Sequence, residues 1–473
     1  MAVKPLTPIV LEALGSKGLN TQAQDSTLGP EWLTEATNVV YDFQGRITSR
    51  KGMKQTSNDD LASACKSIGE FIKSDRTNEY YCGSGAGIYK ADFSVTPTTL
   101  TLQTFSGTPQ TIIDSNWQWE NFNDEFWGTQ RGHTPINFDG TNWFDITDLG
   151  TYAAPVGVTT FDPSCCLGHF GRMWYGGITE DKGVVYYSDN LIGEDLNGGV
   201  AGVIDLKTVW GNDEVVGLAS LMDKLIIFGK NNIAIYGGAS DPSTMALDEL
   251  VKGVGLAGRD NISYVSSEVL FLSYTGLQSL SRITQTDGKA PLTELSIAVR
   301  STLAPILSTT DLDTVKSAYF QEDGIVATFF PSRDLVYVFD FASSPQLGLP
   351  RITTWETTNT PYCGIGSLDG DFHLGFVDSV GLYDGYQDVT VASAVTTEVD
   401  YEYTWATSWL DLGSPTFSKI LKSGVFTILG GYGATTNVVV YKDYVTATQL
   451  SKTFYTHQRW CYVLMGQSYI TFW

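Results

Sequence analysis

The chain has 473 residues and a net charge of −23, with 52 Asp and Glu against 29 Lys and Arg. That excess excludes ordinary phosphate-backbone binding, which needs clustered Lys and Arg, and no apolar run approaches the ~18 residues of a transmembrane helix. Charged residues are only 17% while Gly (48) and Tyr (24) are abundant, the profile of a β-rich chain with many tight turns.

Residues 1–59 read as an N-terminal arm that contributes to a small β-domain. Pro5, Pro8 and Glu12 break the opening stretch, so it does not read as a signal peptide. Extended, turn-rich sequence follows, including Gly18-Leu-Asn20 and Asn38-Val-Val-Tyr-Asp42. The one basic cluster is Arg46, Arg50, Lys51 and Lys54. It reads as a solvated turn, with docking to an acidic partner surface as the alternative.

From residue 60 to 395 a unit repeats: an apolar run, a Gly/Ser/Asn-rich turn, and a second run that often alternates. It opens at Tyr80, Phe126, Met173, Leu225, Leu270, Ile325 and Phe372, at spacings of 46, 47, 52, 45, 55 and 47 residues. Each unit reads as a β-hairpin, as in Ile233-Ala-Ile235-Tyr236, with turn residues such as Asn231-Asn232 and Thr275-Gly276 that tolerate positive φ. A four-stranded propeller blade needs roughly 40–50 residues. The fold class is therefore all-β, a six- or seven-bladed β-propeller with a smaller β-domain built from both termini and one short helix. That helix is expected within Pro291–Ile306, where Leu292, Leu295, Val299, Leu303 and Ile306 form one face, Thr293 is the N-cap and Pro305 limits the far end.

Residues 396–473 read as a C-terminal β-domain of strands between Gly turns, for example Gly424–Gly430 and Asn437–Tyr441. The apolar end Tyr469–Trp473 should pair with a sheet, in this chain or another copy, and its removal should impair assembly while leaving the propeller folded.

Candidate chemistry is sparse. The six cysteines, Cys65, Cys82, Cys165, Cys166, Cys363 and Cys461, lack paired spacing and read as buried thiols folded in a reducing cytoplasm. Among His133, His169, His373 and His457, only His169 sits near cysteines, and adjacent Cys165 and Cys166 cannot easily share one zinc. Asp311/Asp313 and Asp369/Asp371 read as turn aspartates, although propeller glycosidases use paired carboxylates. Phe138–Trp143 misses the sialidase Asp-box spacing. Gly253–Gly258 matches G-x-G-x-x-G without a βαβ context and reads as a loop. No catalytic, cofactor-binding or metal-binding residue is assigned, and the chain is read as not an enzyme. Residues 111–220 hold 16 acids and 4 bases and read mainly as a solvated, outward-facing acidic surface.

Several short motifs, in their order, resemble the tail hub or nozzle proteins of short-tailed bacteriophages, the family of packaged-DNA stabilisation proteins and tail tubular protein B. They are Gly18-Leu-Asn20, Asn38–Asp42, Gly45–Gly52, Leu225–Gly229 with Ile235-Tyr236, Gly253–Gly258 and Ser296–Ser301. The resemblance implies a virion protein assembled in the host cytoplasm. It would form a homohexameric ring below a dodecameric head–tail adaptor and carry tail fibres or spikes. Double-stranded DNA would pass its lumen without specific binding, and the chain would not insert into a membrane. On that reading Glu398, Asp400 and Glu402 of the terminal domain face an acidic lumen. The alternative is a propeller adhesin that binds glycans or host surface proteins.

Overall fold

A computed structural model describes residues 13–58, 61–285, 294–342, 349–357, 359–392 and 395–410, together with 419–421, 427–428, 435–442, 445–455, 461–462 and 470–472. The chain divides into two compact units, Gly15–Ala23 with Glu31–Ala406, and Met1–Leu14 with Gln24–Pro30 and Thr407–Trp473.

The larger unit is a seven-bladed β-propeller. Blade 1 comprises Cys65–Ile72, Asn78–Ser84, Gly87–Asp92 and Thr99–Leu102; blade 2 comprises Gln118–Phe122, Glu125–Gln130, His133–Phe138 and Trp143–Asp145. Blade 3 runs Cys165–His169, Arg172–Gly176, Val184–Tyr187, Gly202–Asp205, and blade 4 Val215–Leu221, Lys224–Gly229, Asn232–Gly237, Ala246–Lys252. Blade 5 has three strands, Ile262–Val265, Glu268–Ser273 and Gly276–Ser279, and a helix, Leu280–Gln285, follows directly. Blade 6 begins Lys316–Phe320, Ile325–Phe330, Leu335–Asp340, Arg351–Glu356, and blade 7 Cys363–Gly366, Phe372–Gly375, Val380–Tyr383. Every repeat opening falls in the second strand of its blade, so the seven hairpins are the second and third strands of seven successive blades.

The packing explains why these strands read as nearly continuous apolar runs. Each middle strand is covered on both faces by a neighbouring blade, so alternate residues enter different cores. On blade 4, Leu225 and Ile227 pack towards blade 3, while Ile226 and Phe228 pack towards blade 5. Among the described residues seven apolar clusters fill the seven seams between adjacent blades. The seventh, with Cys65, Ile68, Cys82, Cys363 and Val380, closes blade 7 onto blade 1.

The N-terminal arm differs from its expected place. From Gly15 to Ala23 and again from Glu31 it belongs to the propeller unit. Leu33–Thr37 extends blade 6 beside Arg351–Glu356, with Thr37 opposite Thr354 in parallel register. Met53–Gln55 is the fourth strand of blade 7, antiparallel to Val380–Tyr383, and Asp388–Ala392 and Val395–Val399 extend that sheet. Residues 396–406 likewise stay with the propeller, so Glu398, Asp400 and Glu402 are exposed residues of this unit rather than of the terminal domain. The arm's strands have only three to five residues, too few for a period-2 pattern to announce them.

The helix also differs. A 3₁₀ turn, Ile297–Val299, leads into an α-helix, Arg300–Thr309, and Pro305 lies inside it. Pro305 cannot bond the Ser301 carbonyl, but Ser301 is exposed, so water can serve that carbonyl. Leu295, Val299, Leu303 and Leu307 face the core shared by blades 5 and 6; Thr293 and Leu292 lie outside the described residues. The described residues hold two further α-helices beside the one expected, Lys207–Trp210 and Leu280–Gln285, each shorter than two turns.

The smaller unit draws on both ends of the chain and is β-structured. Lys419–Leu421 pairs with Ile470–Phe472, Thr427–Ile428 with Cys461–Tyr462, and Thr435–Lys442 with Val445–Tyr455, all antiparallel. The apolar C-terminal segment thus pairs within its own chain; Tyr469 and Trp473 lie outside the described residues.

Candidate functional site: a braced propeller axis

In a propeller the first strands of the blades surround the axis. Here one mouth is crossed by an ionic brace. Arg259 and Asp260 lie on the loop entering blade 5, and Lys316 begins blade 6. Asp260 receives Arg259 at 2.8 Å and Lys316 at 2.8 Å. Arg259 also donates to the carbonyl of Asn116, before blade 2, at 2.7 Å and to that of Ser164, before blade 3, at 3.0 Å. Asn116 donates to the carbonyl of Asp313, before blade 6, at 3.1 Å. Blades 2, 3, 5 and 6 are thereby tied together at one end. Burial opposes charge on Asp260, but the adjoining Arg259 and Lys316 prevail and hold its carboxyl well below the usual range.

Beside the brace lies a cavity of about 180 Å³, lined by residues of blades 1, 2, 5, 6 and 7, among them Ser67, Gln118, Lys316 and Gly364. Inner-strand side chains that line this cavity also bond across the seams. Asn121 accepts from Ile72 N–H and donates to the Glu70 carbonyl, and Gln118 accepts from Cys166 N–H. Burial raises the Glu120 carboxyl to about 8, partly opposed by the Gly168 N–H.

A second constellation locks the arm onto blades 6 and 7. The Arg50 guanidinium is fully buried and meets both oxygens of Asp388 at 2.7 Å. Its Nε donates to Asn38 Oδ1, and its plane lies 3.9 Å from the Tyr401 ring. Asp388 also receives Met53 N–H at 2.8 Å, and Asn38 donates to the Glu402 carbonyl. Gly52 passes so close to Gln387 that a Cβ would sit 1.9 Å from its carbonyl oxygen. The basic cluster is thus engaged with this chain's own carboxylates: Arg46 with Asp42, Arg50 with Asp388, Lys51 with Asp323 and Glu322, and Lys54 with Asp384.

The sequence's other candidates are dispersed. Cys165 packs between blades 3 and 4 and Cys166 between blades 2 and 3, on opposite faces of one strand. His169 meets the Phe170 ring edge-to-face, 4.1 Å between ring centres. His133 is buried and accepts from Ile113 N–H at 3.2 Å; His457 lies outside the described residues. Among the described residues no group of three His, Cys, Asp or Glu is placed to hold a metal ion. Asp311 caps the turn Leu312–Thr314 by accepting from Asp313 N–H. Asp369 receives Asn78 Nδ2 at 2.7 Å, and Asp139 accepts from Thr141 and Asn142 N–H in its loop. Gly253–Gly258 is the loop between blades 4 and 5. Many acids of 111–220 act the same way: Asp145, Asp189, Asp195, Asp205 and Asp213 all accept backbone N–H bonds in loops.

His373 is buried between Tyr80 and Phe93, 4.3 and 4.2 Å from their ring centres, and among the described residues neither ring nitrogen has a hydrogen-bond partner. Burial lowers it to about 4, against a weak pull from Asp369. An unfolded histidine binds its proton below about 6.5, and the folded one stays neutral down to about 4. Stability therefore falls as pH drops through that window, by roughly 3 kcal/mol from this residue. His373→Phe should remove that component. Urea midpoints of the two proteins should diverge between pH 6.5 and 4; parallel profiles would contradict the assignment.

No protein-family model matches the chain, and no curated protein matches it. Solved structures do. It is similar to YCF48 from Cyanidioschyzon merolae (13% identity over 71% of this chain and 99% of that one, TM-score 0.42). It is also similar to the Swd1 β-propeller domain of Myceliophthora thermophila (11%, 71% and 99%, 0.42). A third is PorZ of Porphyromonas gingivalis, a surface component of the type-IX secretion system (9%, 88% and 46%, 0.38). At such identities the likeness concerns fold alone.

Proposed function

We propose that this chain is a structural tail protein of a short-tailed bacteriophage. Six copies form a hub or nozzle ring under a dodecameric adaptor, and the genome passes through the lumen between copies. The observation that carries this reading is where the resemblance-bearing residues lie. Asn38 and Arg50 build the lock that fastens the arm to blades 6 and 7. Asn20 accepts two N–H bonds in the turn after Gly18. Residues 297–301 lead into the helix between blades 5 and 6. Several motifs of the resemblance thus include residues that fasten the N-terminal arm to the propeller, which supports this reading.

A propeller braced by its own ion pairs offers rigid exterior surfaces for neighbours. One mouth of its axis is crossed by the Arg259–Asp260–Lys316 brace, so the duplex would run between subunits. Exposed Glu398, Asp400 and Glu402 suit a wall that repels DNA within the ~8 Å reach of a surface charge. Tail fibres or spikes would dock on the outer loops, where Phe43 and Tyr386 stand more than four-fifths exposed. The ring would assemble in the host cytoplasm and reside in the virion.

The test is light scattering on the purified chain, alone and mixed with a head–tail adaptor protein from the same genome. A hexameric ring that binds the adaptor is expected. A monomer that ignores the adaptor and binds a glycan array would replace this reading with that of an adhesin.

A further inference from the structure

Three thiols gather where the propeller closes. Cys65 begins the first strand of blade 1, Cys363 begins the first strand of blade 7, and Cys82 lies on the second strand of blade 1. All three are buried in the seam between the first and last blades. The Sγ atoms of Cys65 and Cys363 lie 2.6 and 2.7 Å from a single point, the place a Cβ on Gly375 would occupy. The Cys363 thiol donates to the Cys65 carbonyl at 3.2 Å. Backbone bonds hold both strands at this point: Cys65 N–H donates to Phe376 and Tyr362 N–H to Gly375. Gly375, directly opposite Cys363 in register, is what lets the sulfurs approach.

We propose that Cys65 and Cys363 form a disulfide that covalently closes the propeller when the chain meets a small disulfide oxidant. The bond would join residues 298 apart in sequence, and cross-links that close long loops restrict the unfolded chain most. In the reaction the Cys65 thiolate attacks one sulfur of oxidised glutathione and releases a glutathione thiolate. Cys363, deprotonated in turn, attacks the Cys65 sulfur of the mixed disulfide and releases the second glutathione thiolate. One S–S bond breaks and one forms, two electrons pass to glutathione, and the two thiol protons go to solvent or the departing thiolates. Burial raises Cys363 well above the ordinary thiol range, and Cys65 is raised too, although its contact with Cys363 partly offsets the shift. Reaction therefore waits for the blade 7–blade 1 seam to open. The closed ring is protected from rapid oxidation, and the bond once made holds it shut.

The test uses the full-length chain in a glutathione redox buffer, both native in sub-denaturing urea and during refolding. Free thiols counted after denaturation should fall from six to four. Peptide mapping should find Cys65 joined to Cys363. The thermal midpoint should rise, and dithiothreitol should reverse it. Cys82→Ser should still lose two thiols, from five to three, and keep the Cys65–Cys363 bond and the midpoint rise, while Cys363→Ser should show none of these. Refolded, soluble protein that retains six thiols in oxidising buffer would overturn the proposal, as would a Cys65–Cys82 bond. A Cys65–Cys363 bond that leaves the midpoint unchanged would overturn its role as a closure.

Discussion

Asp260→Ala should cost about 3–5 kcal/mol of unfolding free energy, the range for removing one partner of a buried ion pair. The substitution leaves Arg259 and Lys316, both nearly buried, facing each other without their shared anion. It also removes the group that aims Arg259 at the Asn116 and Ser164 carbonyls, so blades 2 and 3 lose their tie to blade 5. Urea unfolding followed by tryptophan fluorescence measures this directly, since Trp117 and Trp119 line the adjoining cavity. Lys316→Met in the same background should restore part of the loss by removing one uncompensated cation. A loss below about 1 kcal/mol would place the brace in the class of solvated surface pairs.

The pH behaviour of the same region runs in the opposite sense to His373. Glu120 has a folded value near 8, against 4.5 in the reference state. The folded chain thus binds the extra proton between those values, and stability is lost as pH rises through them. Asp260, held low, contributes stability that is lost only when pH falls below the usual carboxylate range. Glu120→Gln should therefore raise the thermal midpoint at pH 8 and change it little at pH 4.5.

The sequence made the blades legible and left their joints obscure, for a physical reason. Middle strands such as Leu225–Gly229 and Ile325–Phe330 are buried on both faces, so their composition alone marks them. Outer strands are short and partly exposed: Thr99–Leu102 has no buried residue and Val395–Val399 is exposed at four of five positions. Nothing in such a pattern separates strand from loop. The constellations that matter most join distant residues. Arg50 and Asp388 are 338 apart and Asp260 and Lys316 are 56 apart, and no local spacing encodes either pair. Arg50 was visible only as one member of a basic run, which suggested solvent or a partner. A fully buried guanidinium on its own chain's carboxylate is a tertiary fact. Likewise the acid excess of residues 111–220 read as surface charge, whereas many of those aspartates hold loops by accepting backbone N–H bonds.

Deleting residues 1–57 should abolish the folded propeller rather than trim a separate arm. Met53–Gln55 sits between Val380–Tyr383 and Asp388–Ala392, so its loss splits the sheet of blade 7 at the centre. Leu19, Leu33, Ala36 and Val39 are all buried in the core shared by blades 5 and 6 and the helix. At roughly 1.5–3 kcal/mol for each large apolar side chain, their removal alone approaches the 5–15 kcal/mol that holds a typical domain together. Arg50→Ala is the graded version of the same experiment. It strands Asp388 with only the Met53 N–H, removes the cation under the Tyr401 ring, and should cost about 3–5 kcal/mol. Soluble yield and thermal unfolding should thus rank the intact chain first, Arg50→Ala well below it, and the deletion with no cooperative transition. Were the arm an independent domain, the deletion would melt at the temperature of the intact chain. The strand order of blade 7 rules against that outcome, because a ring of blades is only as closed as its last sheet, and the last sheet takes its fourth strand from the start of the chain.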